Sequence, residues 1–310
     1  MHRRPFAFLT ALLFLAITSN AQNTQNLEKL AYEKLANGDF EGAIVDFTRV
    51  IDRLTRVDKP RAGDDFAEPS NSPLGTGIRV VEPAAAGAFI GRGRAYVAKR
   101  QLAKAIADFD RAITVAPGEP AAYFLRATVR LSLKQHQPAM EDYDHAIRLD
   151  RRYAPSYAGR GMTKLELGDA KGALSDYDRA VNLDPSNASL YAHRGDARRE
   201  LRDYDGAWAD YEKALKMRPD LALALRGRGS WWLQMGEPEK ALADLNRAVE
   251  LDPRDERAFL ARGMTFLRLG NKEAAEKDLA ETIRLDPSLA AEIAAGRKKM
   301  EAWPSRSRKA

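Results

Sequence analysis

Small and large side chains return at fixed places along this chain with a period of 34 residues. Repeats can be counted from Ala86, Pro120, Ala154, Ala188, Ala222 and Glu256. The eighth position then reads Gly93, Ala127, Gly161, Gly195, Gly229 and Gly263. The twentieth is Ala105, Ala139, Ala173, Ala207, Ala241 and Ala275, and the twenty-seventh is Ala112, Ala146, Ala180, Ala214, Ala248 and then Thr282. Large residues stand at position four (Phe89, Tyr123, Tyr157, Tyr191, Leu225, Phe259) and at position twenty-four (Phe109, Tyr143, Tyr177, Tyr211, Leu245, Leu279). Small residues at three points let two antiparallel helices approach closely, and the large ones fill the space beside them. Each pair has too little core to stand alone, so the pattern predicts stacked neighbours.

Helix boundaries are also marked. Gly168-Asp169, Gly236-Glu237 and Gly270-Asn271 fall between the two helices of a repeat, where glycine accepts the left-handed conformation that ends a helix. Pro238 follows at a first-turn position that tolerates proline. Pro117, Pro185, Pro219, Pro253 and Pro287 lie on the same 34-residue lattice, with Arg151 at the missing point, and each proline stops a helix. In period and in this small–large pattern the chain resembles the tetratricopeptide repeat family. The resemblance implies an all-α fold, a right-handed superhelical solenoid of helix-turn-helix repeats at 86–119, 120–153, 154–187, 188–221, 222–255 and 256–289.

Residues 24–57 read as a divergent first repeat, with Gly38-Asp39-Phe40 as the turn, Ala43 at position twenty and Phe47 at position twenty-four. Ala43 and Ala105 are 62 residues apart, one period plus 28, so an insertion at 58–85 interrupts the array. It is rich in Pro, Gly, Asp and Ser, without helical period, and is expected to be an irregular loop. A capping helix is expected at 288–303, with Leu289, Ile293 and Met300 on one side, because a repeat array needs a polar-backed cover over its last core face. Trp303-Pro304 ends it, and 304–310 is expected to be a disordered basic tail.

The first residues change the picture of location. Arg3 and Arg4 precede an apolar run from Phe6 to Ile17, too short for a membrane span of about 18 residues or more. Ser19-Asn20-Ala21 then offers small residues for cleavage. Residues 1–21 therefore read as a secretory signal peptide cut before Gln22, giving an exported, periplasmic or secreted chain with no stable membrane insertion after cleavage. The chain has no cysteine, which suits an oxidising compartment and removes disulfides, thiolate metal sites and cysteine nucleophiles. The formal net charge is +6. Arg297, Lys298, Lys299, Arg306, Arg308 and Lys309 against Glu301 account for nearly all of that excess, so the array itself is near neutral and no nucleic-acid partner is expected.

No constellation of catalytic residues emerges. His2, His136, His145 and His193 are scattered, none at ligand spacing, and no HExxH, P-loop or GxSxG motif occurs. Gly91-Arg92-Gly93 and Gly227-Arg228-Gly229 lie inside first helices, where glycine serves packing. The Asp-Tyr-Asp strings at Asp142–Asp144 and Asp176–Asp178 recur on second helices as scaffold. The reading is no enzyme, no metal and no cofactor.

What the resemblance adds is a groove. In the family, positions two, five, six, nine, twelve and thirteen of the first helices look into a concave surface that binds an extended peptide or a partner helix. Here those positions hold Met162 and Glu166, then His193, Asp196 and Arg199, then Arg226, Ser230 and Gln234. Trp231 replaces smaller residues at position ten and reads as a core ring or as a ligand anchor. The family's carboxylate clamp, lysine at five with asparagine at nine, is in no repeat, which argues against an acidic C-terminal peptide. The expected role is a non-catalytic exported scaffold that binds a protein or peptide partner through the groove. The alternatives are a structural subunit of an envelope assembly, or a self-associating protein, using the insertion or the array ends, and a regulatory or carbohydrate-linked accessory to an enzyme encoded elsewhere.

Two charged columns complete the pattern. Position seven is arginine in every regular repeat: Arg92, Arg126, Arg160, Arg194, Arg228 and Arg262. Position twenty-three is aspartate: Asp108, Asp142, Asp176, Asp210, Asp244 and Asp278. A charge recurring at a normally buried place needs a partner, and arginine matches a carboxylate in bidentate geometry, so a structural ion-pair ladder is expected. The first repeat has Asp46 but Leu30 at position seven. That suits pairing of each arginine with the preceding repeat's aspartate, with pairing inside one repeat also open.

Overall fold

A computed structural model of the chain describes residues 6–55 and 84–302, with side chains over 21–55 and 84–298. It divides into two compact units, Met1–Arg151 and Arg152–Ala310. In the first, α1 (Phe6–Ala36) pairs with α2 (Phe40–Thr55), α3 (Ala85–Ala98) with α4 (Leu102–Val115), and α5 (Pro120–Ser132) with α6 (His136–Leu149). In the second, α7 (Ala154–Glu166) pairs with α8 (Ala170–Leu183), α9 (Ala188–Glu200) with α10 (Tyr204–Met217), α11 (Ala222–Gln234) with α12 (Pro238–Leu251), and α13 (Glu256–Arg268) with α14 (Lys272–Leu285). A 3-10 turn at Pro287–Leu289 leads into α15 (Ala290–Ala302). Among the described residues there is no strand, and the fold is all-α, made of helix pairs that stack on their neighbours within each unit.

Close approach of the two helices explains the small residues. Every alanine at positions twenty and twenty-seven of the regular pairs is fully buried, as is Thr282 in the last, beside the fully buried rings of Phe109, Tyr143, Tyr177 and Tyr211. A Cβ added to Gly195 would stand 2.7 Å from the Tyr211 ring, and one on Gly93 would stand 2.6 Å from that of Phe109. Glycine at position eight is therefore the space into which the ring of position twenty-four fits.

The turn inside each pair is a single left-handed residue. Gly38, Gly168, Gly236 and Gly270 take φ near +80°, but Arg100, Lys134 and Arg202 hold the same place with φ of 56°, 58° and 63°. The following residue caps the second helix where it can: Asp39, Asp169 and Asp203 accept from the backbone N–H of Gly42, Gly172 and Gly206, and Asn271 accepts from Ala274.

At the N-terminus, α1 runs unbroken from Phe6 to Ala36, so the apolar run and the first helix of the first repeat are one helix. Among the described residues, no helix is long and apolar enough to cross a membrane. The second half of α1 is tied down. Ala31 is fully buried, the Tyr32 ring packs edge-on against Phe47 with centroids 4.9 Å apart, and the Tyr32 hydroxyl donates to the Gly87 carbonyl at 2.8 Å. Most of the expected insertion lies outside the described residues. Its last residue, Ala85, is buried and begins α3. At the other end, Leu289 and Ile293 are buried, and Ile293 joins Leu260, Met264 and Leu279 in one cluster. Arg297 clasps Glu276 with two bonds of 2.7 Å. The Met300 side chain and residues 303–310 lie outside the described residues.

Candidate functional site

The charged columns meet inside each helix pair. Nε and one terminal nitrogen of Arg92 donate to the two carboxylate oxygens of Asp108, both at 2.8 Å. Arg126 does the same to Asp142 (2.9 and 2.6 Å), Arg160 to Asp176 (2.8 and 2.5 Å) and Arg194 to Asp210 (2.9 and 2.7 Å). Arg228 meets Asp244 (2.8 and 2.8 Å), and Arg262 meets Asp278 (2.7 and 2.9 Å). The aspartate is that of the same repeat, sixteen residues on, not that of the preceding one. Position seven of the first helix faces position twenty-three of its own partner helix at the closest approach of the two.

The link to the preceding pair is made by the other terminal nitrogen. It reaches Thr48 from Arg92 (3.0 Å), Asp110 from Arg126 (2.5 Å), Asp178 from Arg194 (3.0 Å), Glu212 from Arg228 (2.6 Å) and Asn246 from Arg262 (3.1 Å). These acceptors all stand at position twenty-five. A second cation joins the aspartate from position eleven where that residue is basic: Arg130 to Asp142 (2.8 Å), Lys164 to Asp176 (2.7 Å) and Arg198 to Asp210 (2.9 Å). In the first pair, Lys34 at that place (2.5 Å) and Arg49 (3.1 Å) hold Asp46. The aspartates are buried, and each arginine keeps only a narrow strip in solvent.

The second unit carries a groove of about 740 Å³, a size typical of ligand pockets. Met162, Leu165 and Glu166 enter it from α7, and His193, Asp196, Arg199 and Glu200 from α9. From α11 come Leu223, Arg226, Ser230, Leu233 and Gln234; Glu256, Arg257, Leu260 and Met264 come from α13, and Glu292 from α15. The structure thus brings together Met162, Glu166, His193, Asp196, Arg199, Arg226, Ser230 and Gln234. It places Trp231 elsewhere. That indole donates to the Tyr204 carbonyl at 2.8 Å and packs against Trp208 and Trp232, with centroids 4.6 and 5.0 Å away. Position ten is not one of the groove-facing positions, and Trp231 instead packs on Trp208 of α10. Arg257, Leu260 and Met264 hold positions two, five and nine of the last repeat, so the family's groove positions extended by one repeat would have reached them.

The floor of the groove is a buried polar network. The Tyr211 hydroxyl donates to Asp196 at 2.7 Å, Asp196 lies 3.5 Å from Arg226, and Arg226 meets Asp255 at 3.2 Å. Burial opposes the charge of Arg226, and Asp196 and Asp255 outweigh it, so its guanidinium titrates above the ordinary value. Burial pushes the Tyr211 phenol well up, with Asp196 adding to the effect. His193 stacks on the Tyr177 ring with centroids 5.6 Å apart and planes 7° from parallel. Burial lowers its pKa, against the pull of Asp196. Arg226 is consequently a structural cation. Arg199 joins the same network: burial opposes its charge, but Tyr211, Asp196 and Glu200 outweigh it, and a terminal nitrogen meets Glu200 at 3.0 Å while its enclosed Nε has no hydrogen-bond partner. The enclosed side-chain oxygen of Gln234 also has none. Among the described residues, no three His, Cys, Asp or Glu side chains form a group that could hold a metal ion.

Comparison with known proteins agrees with this architecture. The tetratricopeptide repeat model matches residues 90–154, 159–222, 193–253 and 232–290, more than half of the chain, and the chain belongs to that family. Proteins of the family generally mediate protein–protein interaction, and they are typically non-catalytic scaffolds. No curated protein sequence matches the chain. Among solved structures, a tetratricopeptide repeat protein from Parabacteroides merdae is similar at 16% identity and a TM-score of 0.63, covering 90% of this chain and 99% of that one. The protein TTC0263 of Thermus thermophilus is similar at 25% identity and a TM-score of 0.52, covering 59% of this chain and 100% of that one. PilF of Pseudomonas aeruginosa shares 17% identity and a TM-score of 0.54, covering 71% of this chain and 97% of that one.

Proposed function

We propose that this protein is an exported, non-catalytic scaffold that captures a segment of a partner protein in the groove of its second unit. The observation that supports this reading most is the groove of about 740 Å³, which sets Leu165, Leu233, Leu260 and Met264 beside a small number of charged and polar side chains, the make-up of a ligand site. The ion-pair ladder is a scaffold in this reading. Bidentate pairs fix each helix pair internally, and the third nitrogen fixes its register on the one before, with 34-residue repeats as the building blocks. Export rests on the composition of residues 1–21. Removal of that segment before Gln22 leaves Leu27, Ala31 and Tyr32 of α1 in place against the core.

The test is crosslinking in the native compartment. A photo-crosslinking residue at Ser230 is expected to trap one partner, and the same residue at Asp220, outside the groove, is expected to trap none. Equal labelling from both sites would remove the groove reading. N-terminal sequencing of the purified native protein is expected to begin at or near Gln22, and an intact Met1 in that material overturns export by this signal.

A further inference from the structure

The groove also carries a chemical preference, and this inference rests on the reading that the groove binds a peptide. We propose that it takes an extended segment with an apolar residue flanked by lysine or arginine, and that it excludes acidic segments.

Charge inside the groove is uneven. Three cations line it, Arg199, Arg226 and Arg257, against five carboxylates, Glu166, Asp196, Glu200, Glu256 and Glu292. The cations are already answered. Arg226 lies between Asp196 and Asp255, Arg257 is 3.9 Å from Glu292, and Arg199 is 3.0 Å from Glu200. Among the described residues the Glu256 carboxylate has no ion pair, and the side chains of Glu200 and Glu292 each keep about half of their surface in solvent. The surplus is therefore negative, and an incoming cation can meet Glu256 directly or share the half-exposed Glu200 and Glu292 with their arginines. An incoming carboxylate would have to compete with Glu200 for Arg199. Complementary charge around a cavity selects partners by repelling the wrong sign as much as by attracting the right one.

The groove runs across α7, α9, α11 and α13, which suits an extended segment over a compact ligand. The walls from Leu165, Leu233, Leu260 and Met264 then receive an apolar side chain. Methionine adapts to the shape of what it meets, so the wall sets polarity and size more than one residue type.

The experiment uses the full chain and three fluorescein-labelled octapeptides, each with a central leucine flanked by two lysines, two serines or two glutamates. Fluorescence anisotropy at low salt is expected to show the lysine peptide binding about tenfold tighter than the serine peptide, as two partly exposed charge pairs allow. The glutamate peptide is expected to bind more weakly than either. Added salt at 0.5 M is expected to close the gap between lysine and serine peptides, as is the double variant E200Q/E256Q. Ser230→Trp is expected to block all three peptides, with its helical circular dichroism signal retained. If the serine peptide binds as well as the lysine peptide, or the glutamate peptide binds best, the charge preference is wrong and the groove reading stands. If no peptide binds the wild-type chain, this proposal falls, and crosslinking at Ser230 decides the groove separately.

Discussion

At the residue scale, the ladder makes unequal demands on its arginines. Asp210 is held by Arg194 and also by Arg198, but no second cation of position eleven reaches Asp278, because Phe266 stands there. Replacing Arg262 with methionine leaves Asp278 buried without a cation, and breaking a buried pair in this way costs about 3–5 kcal/mol. Replacing Arg194 leaves Asp210 paired with Arg198, so a smaller loss of about 1.5–3 kcal/mol is expected from the lost charged hydrogen bonds. Urea unfolding of the two variants is the measurement, and equal losses would contradict this account. His193 adds a pH effect. Its folded pKa is depressed by burial, so the unfolded chain takes up a proton first as pH falls. The stability is fully present above the ordinary imidazole value of 6.5 and is lost as pH drops from there toward the folded value. His193→Phe, which keeps a ring on Tyr177, is expected to flatten that part of the stability profile.

The same residues show what a sequence can convey at this scale. The arginine and aspartate columns are legible because a charge repeated at a helix-packing position requires an answer somewhere. Their partnership within one pair is not legible, because Asp46 without an arginine at position seven pointed to the preceding repeat. In the structure Lys34, one turn further along, answers Asp46. The acceptors of the third nitrogen are Thr48, Asp110, Asp178, Glu212 and Asn246, a column whose chemistry varies and so carries no signal by repetition. Arg226 reads in sequence as a groove residue open to a partner, but Asp255, the last residue of the same repeat and the cap of α13, occupies it.

At the scale of the element, each pair turns on one left-handed residue, and four of these are glycines. Where glycine marks the turn, the boundary is readable. Arg100, Lys134 and Arg202 take the same conformation without the mark, because the backbone bonds on either side of the turn demand it. Gln101 N–H reaches back to the Tyr96 carbonyl at 2.8 Å, and Asp203 N–H to that of Arg198 at 2.9 Å. A side chain in the left-handed region is strained by about 1–2 kcal/mol. Arg202→Gly is therefore expected to stabilise the second unit by about 1 kcal/mol after glycine's entropy in the unfolded chain is subtracted. Gly236→Ala, the reverse change at an equivalent turn, is expected to destabilise it by a similar amount. Paired urea titrations test both, and a destabilising Arg202→Gly would mean that its side chain contributes more than its backbone loses.

At the scale of the whole molecule, the 34-residue period made the stacking of pairs readable, because each pair alone leaves an apolar face open. The last such face belongs to α13 and α14, and α15 covers it. Leu289 and Ile293 are both buried there, and Ile293 meets Leu260, Met264 and Leu279. Burying each side chain contributes about 1.5–3 kcal/mol, and the Arg297–Glu276 clasp lies on the outer side. Truncation after Asp286 removes this cover and one wall of the groove together, since Glu292 and Gly296 also line it. In a repeat array stability is close to a sum over neighbours, so the loss should be local first. Hydrogen exchange is expected to speed up in α13 and α14 while the amides of α7 to α10 keep their protection. Light scattering is expected to show self-association through the opened face around Leu260 and Met264. A truncated chain that stays monomeric, with α13 and α14 still protected, would mean that the last pair closes its own core and that α15 serves the groove alone.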